Sequence, residues 1–184
     1  MGKFLSGFSV FELIIIAMMA ALGIATKPVV VPLAHIITGP LYIPGGAIAG
    51  GFYMMWIVLG AGLVGKRGSA TLIAFVQAIM IIVTGLYGTH GILSIATYTL
   101  PGFMVDILLF IIRGKGNRIL DCFLAGIAAN ISGTFLSNIV FFRLPLIPLI
   151  LSLSSAALSG GIGGIIAYNI IKGLGKFNLL EIEG

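Results

Sequence analysis

Six long apolar runs, separated by glycine, proline and charged residues, dominate the chain. Each run is close to the roughly 20 residues that a helix needs to cross a bilayer. Backbone amides in lipid must be satisfied within the segment, and the alternating pattern of a membrane barrel is not seen, so we expect each run to be helical. The predicted helices cover residues 9–26, 45–64, 69–86, 91–112, 119–141 and 145–171. The pattern predicts an all-α membrane protein, a bundle of six transmembrane helices.

Composition supports this fold class and narrows the functions. Hydrophobic residues make up 59% of the chain and charged residues 8%, whereas about a quarter of a soluble domain is charged. The net charge of +5 would be typical of a nucleic-acid partner, but the charges lie at the ends of the apolar runs, so we expect no nucleic acid. We interpret residues 1–184 as one transmembrane domain in the cell membrane, with 181–184 as an expression remnant.

The basic residues between the runs predict the orientation. If the N-terminus is cytoplasmic, eight of the ten lysines and arginines fall on the cytoplasmic side and two, Lys27 and Arg143, fall outside. Positive charge is retained on the cytoplasmic side of membrane proteins, and the bias alternates correctly at every loop. The sequence therefore predicts that both termini are cytoplasmic.

The segment Pro28–Pro44 is predicted to be a long, proline-rich outer loop between helices 1 and 2. Its four prolines argue against a regular spanning helix. Because the segment is apolar, we expect it to fold back over the outer mouth of the bundle. Two interpretations stay open, an interfacial connector and a lid over a ligand pocket.

Small residues predict close helix contacts. Helix 1 carries Ala17, Ala21 and Ala25 at intervals of four, and helices in lipid associate through such residues. Helix 6 has a similar series in Ala156, Gly160 and Gly164. These surfaces are suited either to packing within the bundle or to an external helical partner.

With this alanine series, its six short helices and its apolar first outer loop, the chain resembles the substrate-binding S components of energy-coupling factor (ECF) transporters. The stretch Gly65–Ala70, the turn Gly85–Gly91 and the helix-4 run ending at Arg113 look similar to the hydroxymethylpyrimidine or thiamine-type subgroup. The resemblance implies capture of a small vitamin or vitamin precursor from outside. It also implies release when the subunit docks on a transmembrane T component driven by two ATPases.

On this resemblance, Ala17, Ala21 and Ala25 would face the T component. The sequence contains no phosphate-binding loop of the Walker type, so we expect this chain to bind no cofactor and the partner subunits to use the ATP. Nickel and cobalt relatives would carry histidine directly after the initiating methionine, whereas this chain has Gly2.

Polar residues inside the apolar runs are the candidate ligand contacts, because such residues are costly in lipid. They share one face on each of three helices and become more frequent toward the outer side, as a pocket that opens outward would require. The alternative is that these residues form hydrogen bonds between helices, which stabilise the bundle and bind no ligand. The candidates on these helices are Gln77, Thr84, Tyr98, Asn130, Thr134 and Asn138.

Aromatic residues of the outer loops extend the predicted site. Tyr42, Tyr87 and His90 are either interfacial anchors or, with Tyr98, a platform on which a planar heteroaromatic ring could stack. His35 and His90 have no carboxylate or thiolate near them on the outer side, so we expect no metal site.

The acids favour a structural role. Glu12, Asp106 and Asp121 lie toward the cytoplasmic ends of their helices, where Lys66, Arg113 or Arg118 could pair with them. The alternative function, a stand-alone proton-coupled transporter or channel, would need acids nearer the middle of the membrane. No nucleophile–base pair or metalloprotease motif occurs, so we expect no enzyme.

Overall fold

The computed structural model describes residues 7–41, 43–85 and 91–176. Within these ranges six α-helices form the bundle: α1 Val10–Thr38, α2 Gly45–Val64, α3 Ser69–Thr84, α4 Ser94–Ile111, α5 Ile119–Ser137 and α6 Leu146–Lys176. A 3-10 turn, Gly39–Leu41, follows α1, and a π-helical turn, Asn138–Phe142, extends α5. The all-helical prediction is confirmed.

Five of these helices are long and apolar enough to cross a membrane. The exception is α3, which has 16 residues and spans only about 24 Å at 1.5 Å per residue. The six crossings and their orientation therefore stay predictions, while a multi-pass membrane protein is supported.

The predicted proline-rich loop is wrong over most of its length. Helix α1 runs through Pro28 and Pro32 to Thr38, which leaves only residues 39–44 as a connection to α2. Proline removes one intrahelical hydrogen bond, but an irregular segment in lipid would leave many amides unsatisfied. The longer helix is therefore the less costly structure at membrane depth.

Helix α2 occupies the centre of the bundle and contacts α1, α3, α5 and α6. Its glycines allow these contacts. A Cβ at Gly51 would collide with the backbone of Ser159 in α6, and a Cβ at Gly163 would lie 2.7 Å from the Gly51 carbonyl carbon. The amide of Gly51 also donates to Ser159 Oγ at 3.0 Å. The helix-6 series belongs to the same internal packing, since a Cβ at Gly160 would meet the backbone of Gly126 in α5.

The three described acids lie at one end of the bundle and have structural partners. Glu12 closes a capping box with Ser9 and pairs with Lys66 Nζ at 2.7 Å, as predicted. Asp106 accepts from the amides of Gly68 (3.1 Å) and Thr71 (2.7 Å) at the start of α3. Asp121 accepts from the Gly116 amide at 3.3 Å. For the last two acids, backbone amides take the place of the predicted basic side chains.

Candidate functional site

A cavity of about 220 Å³ lies among the helices at the end of the bundle opposite to the acids. Its walls come from the C-terminal halves of α1, α3 and α5, from α2 as far along as Ile57, and from the N-terminal parts of α4 and α6. In a bundle whose successive helices run in opposite directions, C-terminal and N-terminal helix ends alternate in this way at one end of the bundle. The cavity therefore lies on the side of the connections that the charge bias predicts to be outside.

Lys27 of α1 lines the cavity, although its position just after the predicted run 9–26 suggested only a topology signal. Its ammonium donates to the Tyr98 hydroxyl. It also lies 4.2 Å from the centroid of the Tyr98 ring and 5.5 Å from that of Tyr53. Both ring faces stabilise the cation. Lys27 is partly buried, and the ion pair found among the described residues, Glu12–Lys66, does not involve it.

Two buried polar groups reach the cavity without a hydrogen-bond partner. Gln77 is 5% exposed and Thr97 is 8% exposed, and both line the cavity. Among the residues that the structure describes, neither Gln77 Nε2 nor Thr97 Oγ1 has a hydrogen-bond partner. A buried polar group without a partner costs about 1–3 kcal/mol, which a bound ligand would recover. Pro101, also in the lining, has no amide hydrogen to donate to the Thr97 carbonyl, so this acceptor is freed at the same depth.

The π-helical turn at the end of α5 shapes the opposite wall. π-helical turns are rare in proteins, and many of those that occur lie at functional sites. Here the turn contributes Asn138, Phe141 and Phe142 to the lining. Asn138 Oδ1 accepts from the Leu144 amide at 2.8 Å, which fixes the connection to α6. Thr134 lines the cavity one turn earlier.

Four predicted site residues therefore come together in the cavity lining: Gln77, Tyr98, Thr134 and Asn138. Tyr42, Tyr87 and His90 lie outside the described residues, so their proposed stacking role stays a prediction. Helix periodicity identified the polar faces, but nothing in the periodicity indicated Lys27 or Tyr53. An isolated lysine followed by two prolines in an apolar run was the available signal.

Two other predicted contacts lie elsewhere. Thr84 is exposed, and its hydroxyl donates to the Met80 carbonyl at 2.7 Å. Asn130 is fully buried outside the lining, where Nδ2 donates to the carbonyls of Ala47 and Ala156, both at 2.9 Å. A Cβ at Gly50 would occupy the space of the Asn130 amide. Asn130 thus joins α5 to α2 and α6.

The donor set of the cavity is poor in metal ligands. The described residues contain no group of three or more His, Cys, Asp or Glu side chains that could hold a metal ion. His35 lines the cavity, and its Nδ1 accepts from the Gly45 amide at 3.4 Å. That contact occupies Nδ1, so His35 has one imidazole nitrogen, Nε2, left for a ligand.

The alanine series of helix α1 faces away from the bundle. Ala17, Ala21 and Ala25 are exposed, whereas Ala20 and Gly23 between them are buried. A Cβ at Gly23 would meet the Gln77 amide, so the buried side of the same helix forms a wall of the cavity. Helix α1 therefore has one side that lines the cavity and another side of exposed small residues.

Comparisons with known proteins agree with this architecture. The family model described as "ABC-type cobalt transport system, permease component" matches residues 11–132, more than half of the chain. A solved structure described as the crystal structure of an S-component of an ECF transporter is similar to the chain at a TM-score of 0.74 and 16% identity. The alignment covers 94% of this chain and 88% of that one. No curated protein is significantly similar to the chain.

Proposed function

The chain belongs to the family of permease components of ABC-type cobalt transport systems and has the fold of an ECF transporter S component, and from this premise we propose that it captures a small organic molecule for import. The molecule enters the cavity from outside the cell membrane. It is released to the cytoplasm when the subunit docks on a T component whose two ATPases supply the energy. The chain itself carries out no chemistry and needs no cofactor.

One observation carries this proposal. The cavity contains two buried polar groups without a hydrogen-bond partner in the described ranges, Gln77 Nε2 and Thr97 Oγ1, beside the aromatic rings of Tyr53 and Tyr98. Mostly apolar walls with a few oriented polar groups are typical of small-molecule sites. A planar ring with hydrogen-bond acceptors would satisfy both features.

The substrate is proposed to be a vitamin or vitamin precursor, with hydroxymethylpyrimidine and thiamine as the first candidates. The family description names cobalt. Two observations argue against a bare divalent cation as the substrate. The positive charge of Lys27 would repel it, and among the described lining residues His35 is the one side chain of the His, Cys, Asp and Glu types that bind metals. Divalent transition metals in proteins are held by several imidazole, thiolate or carboxylate ligands.

The exposed alanine series supports the proposed partner. Ala17, Ala21 and Ala25 form a flat strip on which a helix of another subunit could approach closely. The comparable small residues of α2 and α6 are already used inside the bundle. The strip on α1 is therefore the surface we assign to the T component.

Native mass spectrometry of the purified protein tests the proposed function. We expect one small molecule to be retained without nucleotide, and Gln77→Leu to lose it. Uptake by the chain alone in liposomes, driven by a proton gradient, would instead favour the stand-alone transporter and would refute the proposal.

A further inference from the structure

The strongest unassigned feature of the cavity is its charge. Lys27 brings a cation into a cavity whose lining, over the part of the chain that the structure describes, contains no carboxylate. The described acids are on the opposite end of the bundle. Along α1, the 15 residues from Glu12 to Lys27 correspond to about 22 Å, so Glu12 cannot neutralise this ammonium. Among the described residues, the contacts of the ammonium are the two tyrosines.

An ordinary explanation of such a lysine is that it serves only as a membrane anchor, with its ammonium extended to the headgroup region. The geometry argues against this explanation. The ammonium turns toward Tyr53 of α2 and Tyr98 of α4, into the bundle. A charge within a membrane bundle that faces a cavity marks a ligand or ion site by default.

Other donors surround the same space. Gln77 Nε2 and Thr97 Oγ1 are buried, and no described residue offers them a hydrogen bond. Lys27 uses one of its three N–H groups for the Tyr98 hydroxyl. The cavity therefore has unused donors, and the described lining residues include no carboxylate that would compensate its one positive charge. Both tyrosine faces that could attract a cationic ligand are already near Lys27.

From this arrangement, we propose that Lys27 sets a charge preference: the site takes a planar heteroaromatic molecule that presents an anionic or electron-rich acceptor group to the ammonium, and it rejects molecules with a fixed positive charge. This inference rests on the proposed function and narrows its substrate class. Between the two candidates named above, it favours the neutral pyrimidine alcohol over thiamine, whose thiazolium ring carries a permanent charge.

A series of rings that differ mainly in charge tests the preference. Nicotinate, nicotinamide and 1-methylnicotinamide provide an anion, a neutral molecule and a cation, and hydroxymethylpyrimidine and thiamine provide a second neutral and cationic pair. Dissociation constants would be measured with the full-length protein in detergent. We expect affinity to fall in the order anion, neutral, cation, with about tenfold or more between the ends of the series, as for hydrogen bonds to charged groups.

Two variants separate the role of Lys27 from an effect on folding. Lys27→Met should bring the anion, neutral and cation affinities together, whereas Lys27→Arg should keep their order. An order that is unchanged in Lys27→Met overturns the charge preference. The variants are compared by the ratio of affinities within each protein, so a lower yield of folded protein does not imitate the result.

Different results would overturn the charge preference and the proposed function. Thiamine bound as tightly as hydroxymethylpyrimidine, or more tightly, would overturn the charge preference and leave the proposed function standing. If no member of the series binds and no small molecule co-purifies, both proposals fail.

Discussion

At the scale of single residues, two buried amide side chains have opposite uses. Each amide has one atom without a partner among the described residues, Gln77 Nε2 and Asn130 Oδ1, but Gln77 lines the cavity, whereas Asn130 lies outside the lining and donates to two backbone carbonyls. We assign Gln77 to ligand binding and Asn130 to the packing of the helices. Their substitutions should therefore affect different measurements.

Gln77→Leu should weaken ligand binding by about 1–3 kcal/mol, because a buried hydrogen bond to the ligand is lost. The melting temperature of the ligand-free protein should stay the same or rise, because the substitution also removes an unpartnered polar group. Equilibrium binding and a thermal melt in detergent measure the two effects.

Asn130→Ala is the matched comparison. It should lower the free energy of unfolding by about 1–3 kcal/mol through the loss of buried hydrogen bonds and leave the affinity of the folded protein unchanged. A variant of Asn130 that melts normally but no longer binds ligand would place the amide in the site, contrary to the structure.

The sequence could predict polar faces but not which face points to the cavity. Thr134, Asn138 and Asn130 all fall on the predicted face of α5, yet only Thr134 and Asn138 reach the lining. Helix rotation is set by packing at positions such as Gly50, where the absence of a side chain makes room for Asn130. That space depends on two helices distant in sequence, so a single run of residues cannot reveal it.

At the scale of helices, the crossing of α2 and α6 depends on glycine at Gly163. A Cβ at that position would collide with the carbonyl of Gly51, which is backbone and cannot rotate away. Gly163→Ala should therefore destabilise the protein by about 1–3 kcal/mol, as overpacking does. Gly173→Ala, in the same helix with nothing within 4 Å of its Cβ, should leave the melting temperature unchanged or raise it slightly. Equal melting temperatures for the two variants would show that this crossing is not closely packed.

Helix α1 provides the test of the docking strip. Ala21→Leu should abolish import in cells that supply the T component and ATPases, because the added side chain separates two closely packed helices. Ligand binding to the purified subunit should be unchanged, since Ala21 is exposed on the side of α1 away from the cavity. Ala96→Leu, at an exposed alanine of α4, serves as the control and should import normally. If Ala21→Leu binds ligand as poorly as it transports, the strip has a role inside the subunit.

The helices were largely predictable because transfer into lipid depends on the local run of side chains. The main error, the end of α1, came from treating Pro28 and Pro32 as helix breakers. In water a proline in a helix costs about 3 kcal/mol, and an interrupted chain can bond to solvent instead. In lipid an interrupted chain has no solvent to bond to. A proline that would end a helix in water therefore stays inside the helix here.

At the scale of the whole molecule, the number of membrane crossings depends on α3. A helix of 16 residues covers about 24 Å of a hydrocarbon core about 30 Å thick. A short helix is accommodated by local thinning of the bilayer and by extended flanking side chains. Because Asp106 holds the start of α3 at the acidic end of the bundle and Gln77 lies at the cavity end, we expect α3 to cross.

Labelling of single cysteines measures this crossing directly. In a Cys122→Ala background, Ile92→Cys should react with a membrane-impermeant maleimide added to intact cells, and Arg67→Cys should react only after the membrane is opened. Arg67 and Ile92 are both exposed on the protein, and Cys122 is fully buried, so accessibility reports the side of the membrane. Reaction of both cysteines in intact cells, or of neither, would mean that α3 does not cross. The C-terminus would then lie on the opposite side from the N-terminus, and the 8:2 distribution of basic residues would no longer follow the positive-inside rule.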